Sequence, residues 1–235
     1  MNFRHEIKHE INFSDMIAIR QRLRAVCLPD PHAVEGKYRI RSLYFDDPTD
    51  KALREKTDGV NQREKFRIRC YNGDLSYIRL EKKSKRNGLC AKRTAPLTAE
   101  QTQAILNGGP PRIGETDDPL LRELSVKMTT EGLRPKTIVD YTREPFVFPA
   151  GNVRVTIDYD IRSGLSCIDF LNPSCVTVTV TQAIILEVKW DEFLPDIIRD
   201  AVSLNRQEGA FSKYAACRIY GSKKEKNNDN IQRYF

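Results

Sequence analysis

The sequence predicts an α+β fold in which eight antiparallel strands, with peripheral helices, can close into a β-barrel. Several segments alternate charged and apolar residues, which is the period of a half-buried strand. Turn-forming residues separate these segments, and other segments have the apolar spacing of helices. The chain has 235 residues, of which 40% are hydrophobic, so it can bury the core of one domain. We expect this domain to span residues 1–221 and a polar tail to span 222–235.

The first half of the chain is predicted to contain five of the strands. Ser14 is predicted to cap a helix that runs to Cys27, and a second, short helix is expected to end near Leu53. The Asn72-Gly73-Asp74 turn predicts a hairpin, because Asn-Gly between two alternating segments favours a tight turn. The strands are predicted at residues 2–13, 37–45, 64–71, 75–83 and 90–97.

The second half is predicted to contain the other three main strands and three helices. Thr98 and Gln101 have the spacing of a capping box, and Pro119 suits the first turn of the next helix. The helices are predicted from residue 98 to the turn at 107–109, at 119–131 and at 194–204. The main strands are predicted at 136–148, 152–161 and 182–190, with short ones at 175–180 and 218–220.

Charged side chains recur at every second residue of the predicted strands. Residues two apart share a face, so several strands present a row of cations to one side. Like charges that lie side by side on a sheet repel each other, and a polyanion between them would convert this cost into binding energy. The rows are Lys65, Arg67 and Arg69; Arg79, Glu81 and Lys83; Arg39 and Arg41; Arg154, Thr156 and Asp158; and Glu187 and Lys189.

A single row of this kind is more often a solvated outer face of a sheet. Five strands with the same pattern instead favour a barrel whose interior is lined by cations. The net charge of +7 also favours anionic partners. Arginine forks and lysine ammonium groups suit phosphate oxygens.

Three carboxylates lie among these cations. Glu6, Glu81 and Glu187 could hold a hard divalent cation that also binds phosphate oxygens, or they could pair with neighbouring lysines. Both interpretations stay open for Glu6 and Glu81, whereas the charged pair inside the apolar strand at 182–190 favours a metal at Glu187.

Other functional classes lack their sequence signals. The chain has neither GxxxxGK[ST] nor GxGxxG, and its three histidines, His5, His9 and His32, lie near the N-terminus without a candidate nucleophile. No segment approaches the roughly 20 apolar residues that a membrane-spanning helix needs. We therefore expect no membrane segment and a cytoplasmic protein.

A set of ordered motifs resembles the VTC domain, the catalytic domain of the vacuolar transporter chaperone polyphosphate polymerase. That domain is one of the triphosphate tunnel metalloenzymes, which are relatives of the CYTH proteins. The resemblance covers about residues 3–220, and the order and spacing of the motifs carry it. The motifs are Glu6-Ile7-Lys8, YRIRSLYFD (38–46), REKFRIRCY (63–71), IRLEKKSK (78–85), YTREPF (141–146), VRVTIDYDI (153–161), ILEVK (185–189) and FSKY (211–214).

The resemblance implies a tunnel that binds ATP or triphosphate together with a divalent metal, Mn²⁺ or Mg²⁺. The candidate catalytic residues, which would bind the reacting phosphates, are Arg67, Arg69, Lys83, Arg143 and Lys213. The further candidate phosphate ligands are Lys8, Arg39, Arg41, Lys65, Arg79, Arg154, Lys189 and Ser212. The candidate metal ligands are Glu187, Glu6, Glu81 and Asp158.

The chain departs from its relatives at two positions. The related CYTH enzymes open with Glu-x-Glu-x-Lys, whereas this chain has Arg4 in place of the first glutamate. The eukaryotic polymerase has a further lysine before FSKY, where this chain has Ala210. A stand-alone VTC domain of this kind looks bacterial.

The resulting hypothesis is a polyphosphate polymerase that transfers the γ-phosphoryl group of ATP to a growing polyphosphate chain. Hydrolysis of tripolyphosphate or of a nucleoside triphosphate in the same tunnel is the alternative enzyme. A non-catalytic polyanion-binding module is the third interpretation. Specific nucleic-acid binding is not expected, because Phe66 lies on the face opposite the cations and cannot stack on bases beside them.

Overall fold

A computed structural model describes residues 3–114, 118–204 and 208–232 of the chain. Their strands are β1 (His5–Ile11), β2 (Leu28–Pro29), β3 (Tyr38–Asp46), β4 (Arg63–Tyr71), β5 (Asp74–Arg86), β6 (Leu89–Leu97), β7 (Arg134–Phe148), β8 (Val153–Ser163), β9 (Val178–Thr181) and β10 (Ile184–Trp190). Their helices are α1 (Phe13–Val26), α2 (Lys51–Thr57), α3 (Ala99–Leu106), α4 (Pro119–Thr130), α5 (Asp196–Ala201) and α6 (Lys213–Gln232), with a 3₁₀ turn at Ala150–Asn152.

Eight strands form one curled antiparallel sheet in the order β1-β10-β8-β7-β3-β4-β5-β6. The short β2 pairs with β7, and β9 pairs with β8. The two edges of the sheet meet where Arg4 and Cys90 exchange backbone hydrogen bonds of 2.9 and 3.1 Å. This arrangement confirms the predicted α+β fold with a curled eight-stranded sheet and peripheral helices.

The hairpin of β4 and β5 fixes the position of the cationic rows. Its turn residues Asn72 and Gly73 both have positive φ values, 52° and 76°, which is the conformation that Asn-Gly turns favour. In the resulting register Arg67 faces Glu81 and Lys65 faces Lys83. The charged side chains of the two strands therefore lie on the same face.

Apolar side chains of the sheet pack on both sides of it. On the convex side, one cluster lies under α3 and α4 and includes Phe66 and Ile68. A second convex cluster lies under α1 and α5 and includes Val155 and Val188. On the concave side, Tyr214 and other residues of α6 cover an apolar region, and the rest of the concave face is charged.

Three local predictions are wrong. Asn12, rather than Ser14, caps α1, because its Oδ1 accepts a hydrogen bond of 2.8 Å from the backbone N–H of Asp15. The strand predicted at 218–220 is part of α6, where Tyr214 and Cys217 pack against the sheet. The helix predicted at 194–204 is shorter, at Asp196–Ala201.

The predicted boundary between the domain and the polar tail, at residue 221, falls inside helix α6. The last residues of the predicted tail, 233–235, lie outside the described part of the chain. The division into a domain and a polar tail stays a prediction. Among the described residues, no helix is both long and apolar enough to cross a membrane.

Candidate functional site

The curled sheet encloses a cavity of about 690 Å³. Every strand of the eight-stranded sheet contributes lining residues, as do α2 and the segment that leads into α6. Fourteen lysines and arginines line the cavity, against four glutamates. This excess of positive charge in an enclosed space favours an anionic ligand with several negative charges.

Alternation along β4 determines which side chains reach the cavity. Lys65, Arg67 and Arg69 line it, whereas Phe66 and Ile68 lie in the convex core. Since β5 pairs with β4 in register, Lys83 also lines the cavity. The structure therefore brings four of the predicted cations of these two strands together in the cavity.

Glu6 and Glu187 lie close together because Lys8 and Lys189 bridge them. Lys8 Nζ is 2.8 Å from Glu6 Oε1 and 3.3 Å from Glu187 Oε1. Lys189 Nζ is 3.3 Å from a carboxylate oxygen of each glutamate. Burial and the Glu187 charge raise the pKa of Glu6, but the ammonium groups of Lys83 and Lys8 outweigh them and lower it to about 2.

The carboxylate of Asp158 is fully buried and holds two cations of the site. Arg143 donates to its two oxygens at 2.6 and 2.7 Å, and Lys213 donates to Oδ2 at 2.6 Å. Arg143 also lies 3.4 Å from Glu187 Oε2. Asp158 is absent from the cavity lining, so it acts behind the cations that it positions.

Glu81 of β5 is placed similarly, directly opposite Arg67 of β4. Arg67 Nε donates to it at 2.7 Å, Lys92 Nζ lies 3.2 Å away, and Arg69 Nη1 lies 3.7 Å away. Arg69 also donates to Ser42 Oγ and to the hydroxyl of Tyr141, each at 3.0 Å. The guanidinium groups are thus held in fixed positions without a ligand.

A second group of cavity cations has no carboxylate partner among the described residues. Burial lowers the pKa of Lys65 to about 7, and the positive charges of Lys83 and Lys8 add to this shift. Burial and the nearby cations also lower the pKa of Lys56 to about 8. This group consists of Lys56, Lys65 and Lys85, with Arg63 beside them bonded to the carbonyl of Val60.

Comparison with known proteins identifies the family. The VTC domain model matches residues 3–220. The chain belongs to the VTC domain family. A search of curated proteins gives no significant match.

Several solved structures are similar in fold to this VTC domain. One is a protein from Pyrococcus horikoshii OT3, with 14% identity over 92% of this chain and 99% of that chain and a TM-score of 0.48. A putative adenylate cyclase from Bacillus halodurans has 14% identity over 100% of this chain and 98% of that chain, with a TM-score of 0.47. The Mimivirus capping enzyme triphosphatase has 12% identity over 82% and 83%, with a TM-score of 0.42.

The VTC domain match and the cationic cavity together support an enzyme of the tunnel type that acts on triphosphate or polyphosphate. Enzymes of this type generally use a divalent metal.

Two of the four predicted metal ligands fit such an ion. Glu6 and Glu187 are adjacent, line the cavity and carry the negative charge that a hard cation needs, and phosphate oxygens could complete its coordination. Among the described residues, no three His, Cys, Asp or Glu side chains are grouped so that they could hold a metal without the help of a bound substrate. The VTC domain therefore fits a metal that the protein and its substrate share.

The structure places the other two predicted metal ligands, Glu81 and Asp158, outside the cavity lining. Both are almost completely buried and are surrounded by arginine and lysine groups. In this VTC domain they accept hydrogen bonds from Arg67, Arg143 and Lys213, three of the predicted phosphate ligands.

Three of the predicted phosphate ligands are not in the tunnel lining. Arg39 and Arg41 lie on the opposite face of β3, where Arg41 forms a two-bond pair with Asp140 at 2.9 and 3.0 Å. Arg79 is on the cavity face of β5 but stacks on the ring of Tyr77, 4.5 Å away. The structure leaves these three arginines outside the cavity.

The remaining predicted ligands are brought together in the cavity. Arg154 donates to Asp30 at 2.8 Å and also to the hydroxyl of Tyr38. Ser212 lines the cavity, and its Oγ accepts a hydrogen bond of 3.3 Å from the backbone N–H of Ala215 at the start of α6.

Tyrosines are the main class of tunnel residue that the sequence interpretation missed. Tyr38 and Tyr44 line the tunnel from the face of β3 that lies opposite Arg39 and Arg41. Tyr141 accepts from Arg69, and the ammonium of Lys213 lies 4.7 Å from its ring centre. The alternation in YRIRSLYFD places Tyr38 and Tyr44 on the same face of the strand, so both would have been predicted if that face, rather than the arginine face, had been assigned to the interior.

Proposed function

We propose that this VTC domain is a metal-dependent polyphosphate polymerase. It transfers the γ-phosphoryl group of ATP to a phosphate oxygen at the end of a polyphosphate chain and releases ADP. The observation that carries the proposal is the uneven pairing of charge along the tunnel. Lys8, Lys189 and Arg143 have carboxylate partners, whereas Lys56 of α2, Lys65 of β4 and Lys85 of β5 have none among the described residues.

The length of this cationic surface favours a chain as the ligand. From Arg63 to Arg69, β4 extends for about 20 Å at about 3.3 Å per residue. Every second side chain along this length is a cation in the cavity lining. A phosphate chain can satisfy such a row at several points, whereas a single phosphate group can contact only part of it.

The cations near Glu187 are suited to phosphoryl transfer. This reaction depends on positioning and on neutralising the charge of the equatorial, attacking and leaving oxygens. Asp158 holds Arg143 and Lys213, and Glu81 holds Arg67, so these donors are oriented before the substrate arrives. A metal at Glu6 and Glu187 would add charge neutralisation across the phosphate oxygens.

The acceptor explains why the site needs no histidine base. A terminal phosphate of the growing chain is already an oxyanion, so no proton has to be removed before it attacks. The described cavity lining contains His5 but no serine–histidine or cysteine–histidine pair. Hydrolysis in the same tunnel would instead need a water molecule as the acceptor.

Incubation of the protein with ATP and either Mn²⁺ or Mg²⁺ tests the proposal. The polymerase forms phosphate chains longer than three units together with ADP, whereas a hydrolase forms only ADP and orthophosphate, or orthophosphate from tripolyphosphate. Glu187→Gln should abolish chain formation. Arg39→Ala is the matched control, because Arg39 is exposed on the opposite face of β3 and its loss should leave the product unchanged.

A polyanion-binding module is distinguished by the same protein preparations. Such a module would bind polyphosphate or RNA without any turnover of ATP. RNA binding that falls steeply with salt and is unaffected by Glu187→Gln and by metal chelation would contradict the enzyme proposal.

A further inference from the structure

Two polar groups on the tunnel face of β8 are buried and have no partner in the described part of the chain. The hydroxyl of Thr156 and the Nε–H of Arg154 make no hydrogen bond with any described residue, although both atoms are shielded from solvent. A buried polar group without a partner destabilises a fold, so native proteins rarely contain one without a functional reason. Both residues line the cavity.

Their positions direct these two donors towards the proposed reaction centre. Residues 154 and 156 share a face of β8, while Val153, Val155 and Ile157 pack in the convex core. Thr156 is directly opposite Glu187 on β10, and Arg154 is directly opposite Lys189. Facing side chains on such strands have Cβ atoms about 4.5–5.5 Å apart, so the hydroxyl is close to the carboxylate pair.

We propose that the Thr156 hydroxyl and the Arg154 Nε–H together bind non-bridging phosphate oxygens of the ligand, beside Glu187. This inference rests on the proposed phosphate-binding function of the tunnel, and it adds Thr156 to the residues that contact the substrate. A hydroxyl and an N–H both need an acceptor, and phosphate oxygens are strong acceptors. Arg154 keeps its other contacts, to Asp30 and Tyr38, when Nε–H donates to the ligand.

Thr156→Val should have opposite effects on stability and on ligand binding. Valine has nearly the same shape as threonine but lacks the hydroxyl, so this substitution removes a buried group that has no partner in the ligand-free protein. Thr156→Val should therefore raise the Tm of the ligand-free protein, by about 2–4 °C. The same variant should bind inorganic tripolyphosphate about tenfold more weakly, because it loses a hydrogen bond to a charged group.

Two further variants separate the hydroxyl from the rest of the side chain. Thr156→Ser keeps the hydroxyl, so it should bind tripolyphosphate within about twofold of the wild type. Thr137→Val is the matched control on β7. Thr137 is also buried, but its hydroxyl donates to the carbonyl of Ile138 at 3.3 Å and contacts Ser163, and it does not line the cavity. Thr137→Val should lower the Tm and leave the affinity unchanged.

Differential scanning fluorimetry and titration calorimetry measure these two quantities on the full chain. EDTA in the titration prevents metal-dependent turnover of tripolyphosphate. A lower Tm for Thr156→Val, or an unchanged affinity for tripolyphosphate, would overturn the proposal. Because neither measurement needs catalysis, a protein that binds as expected but makes no polyphosphate would reject the proposed polymerase and leave this site intact.

Discussion

Asp158→Asn tests whether this carboxylate is a structural partner of the tunnel cations or a metal ligand. Asp158 is 0% exposed, and its oxygens accept from Arg143 at 2.6 and 2.7 Å and from Lys213 at 2.6 Å. Burial raises its pKa, but the charges of Arg143 and Lys213 outweigh this effect and lower it below the usual value of 3.8. The group is therefore a carboxylate at neutral pH.

The structure sets the size of the expected loss. Asparagine keeps the shape of the side chain but leaves Arg143 and Lys213 without their main counter-charge. Removing one partner of a buried ion pair costs about 3–5 kcal/mol. For a chain of this size each kcal/mol corresponds to about 2–4 °C, so the Tm at pH 7 should fall by roughly 6–20 °C.

The pH dependence of unfolding gives a second, independent measurement. Because the pKa of Asp158 is lower in the folded protein, its contribution is complete above 3.8 and is lost as the pH falls towards the folded pKa. The difference in Tm between wild type and Asp158→Asn should be constant near neutral pH. It should narrow below about pH 4.

Asp140→Asn is the control for this prediction. Asp140 forms a two-bond pair with Arg41 on the convex side, so its loss should also lower the Tm but should not change tripolyphosphate binding in the tunnel. Asp158→Asn should weaken that binding, because Arg143 and Lys213 lose their orientation. If Asp158→Asn instead unfolded at the wild-type temperature and lost its affinity for Mn²⁺, Asp158 would be a metal ligand and the reasoning would be refuted.

Three further substitutions test other parts of the site. Glu187→Gln should lower metal-dependent turnover of ATP at least about a hundredfold, since it removes a ligand of the shared metal; turnover near the wild-type rate across a Mn²⁺ titration would contradict this role. Lys65, whose pKa burial lowers to about 7, should gain its charge as the pH falls from 8 to 6. As the pH falls towards 7, the tripolyphosphate affinity of the wild type should therefore increase relative to that of Lys65→Met, by up to about tenfold per pH unit. If the affinities of the two proteins changed in parallel with pH, protonation of Lys65 would not contribute to binding. Tyr214→Phe should destabilise the protein by about 1–3 kcal/mol, because it removes the hydroxyl that donates to the buried Asp46 carboxylate at 2.7 Å; an unchanged midpoint in urea would show that this hydrogen bond is dispensable.

The sequence predicted the faces of some strands and not of others for a physical reason. On β4, cations alternate with Phe66 and Ile68, so one face is apolar and the charged face must be the other. On β3, Arg39 and Arg41 alternate with tyrosines, which suit either a core or a binding site. The prediction that the arginine face of β3 lines the barrel interior was wrong, because Asp140, 99 residues away in the sequence, pairs with Arg41 on the convex side. Alternation along one strand carries no information about a partner on another strand.

The same limit explains the mixed outcome for the carboxylates. Glu6, Glu81, Asp158 and Glu187 look alike in the sequence, as acidic residues among cations on strands. What separates them is the register between strands, which leaves Glu81 and Asp158 outside the cavity lining but places Glu6 and Glu187 beside each other in it. A metal that bridges protein and phosphate needs carboxylates with an open side, and two of the four have one. The other two hold Arg67, Arg143 and Lys213 in place. Under the proposed function, this fixed arrangement would allow a small set of side chains to stabilise charge on the transferred phosphoryl group.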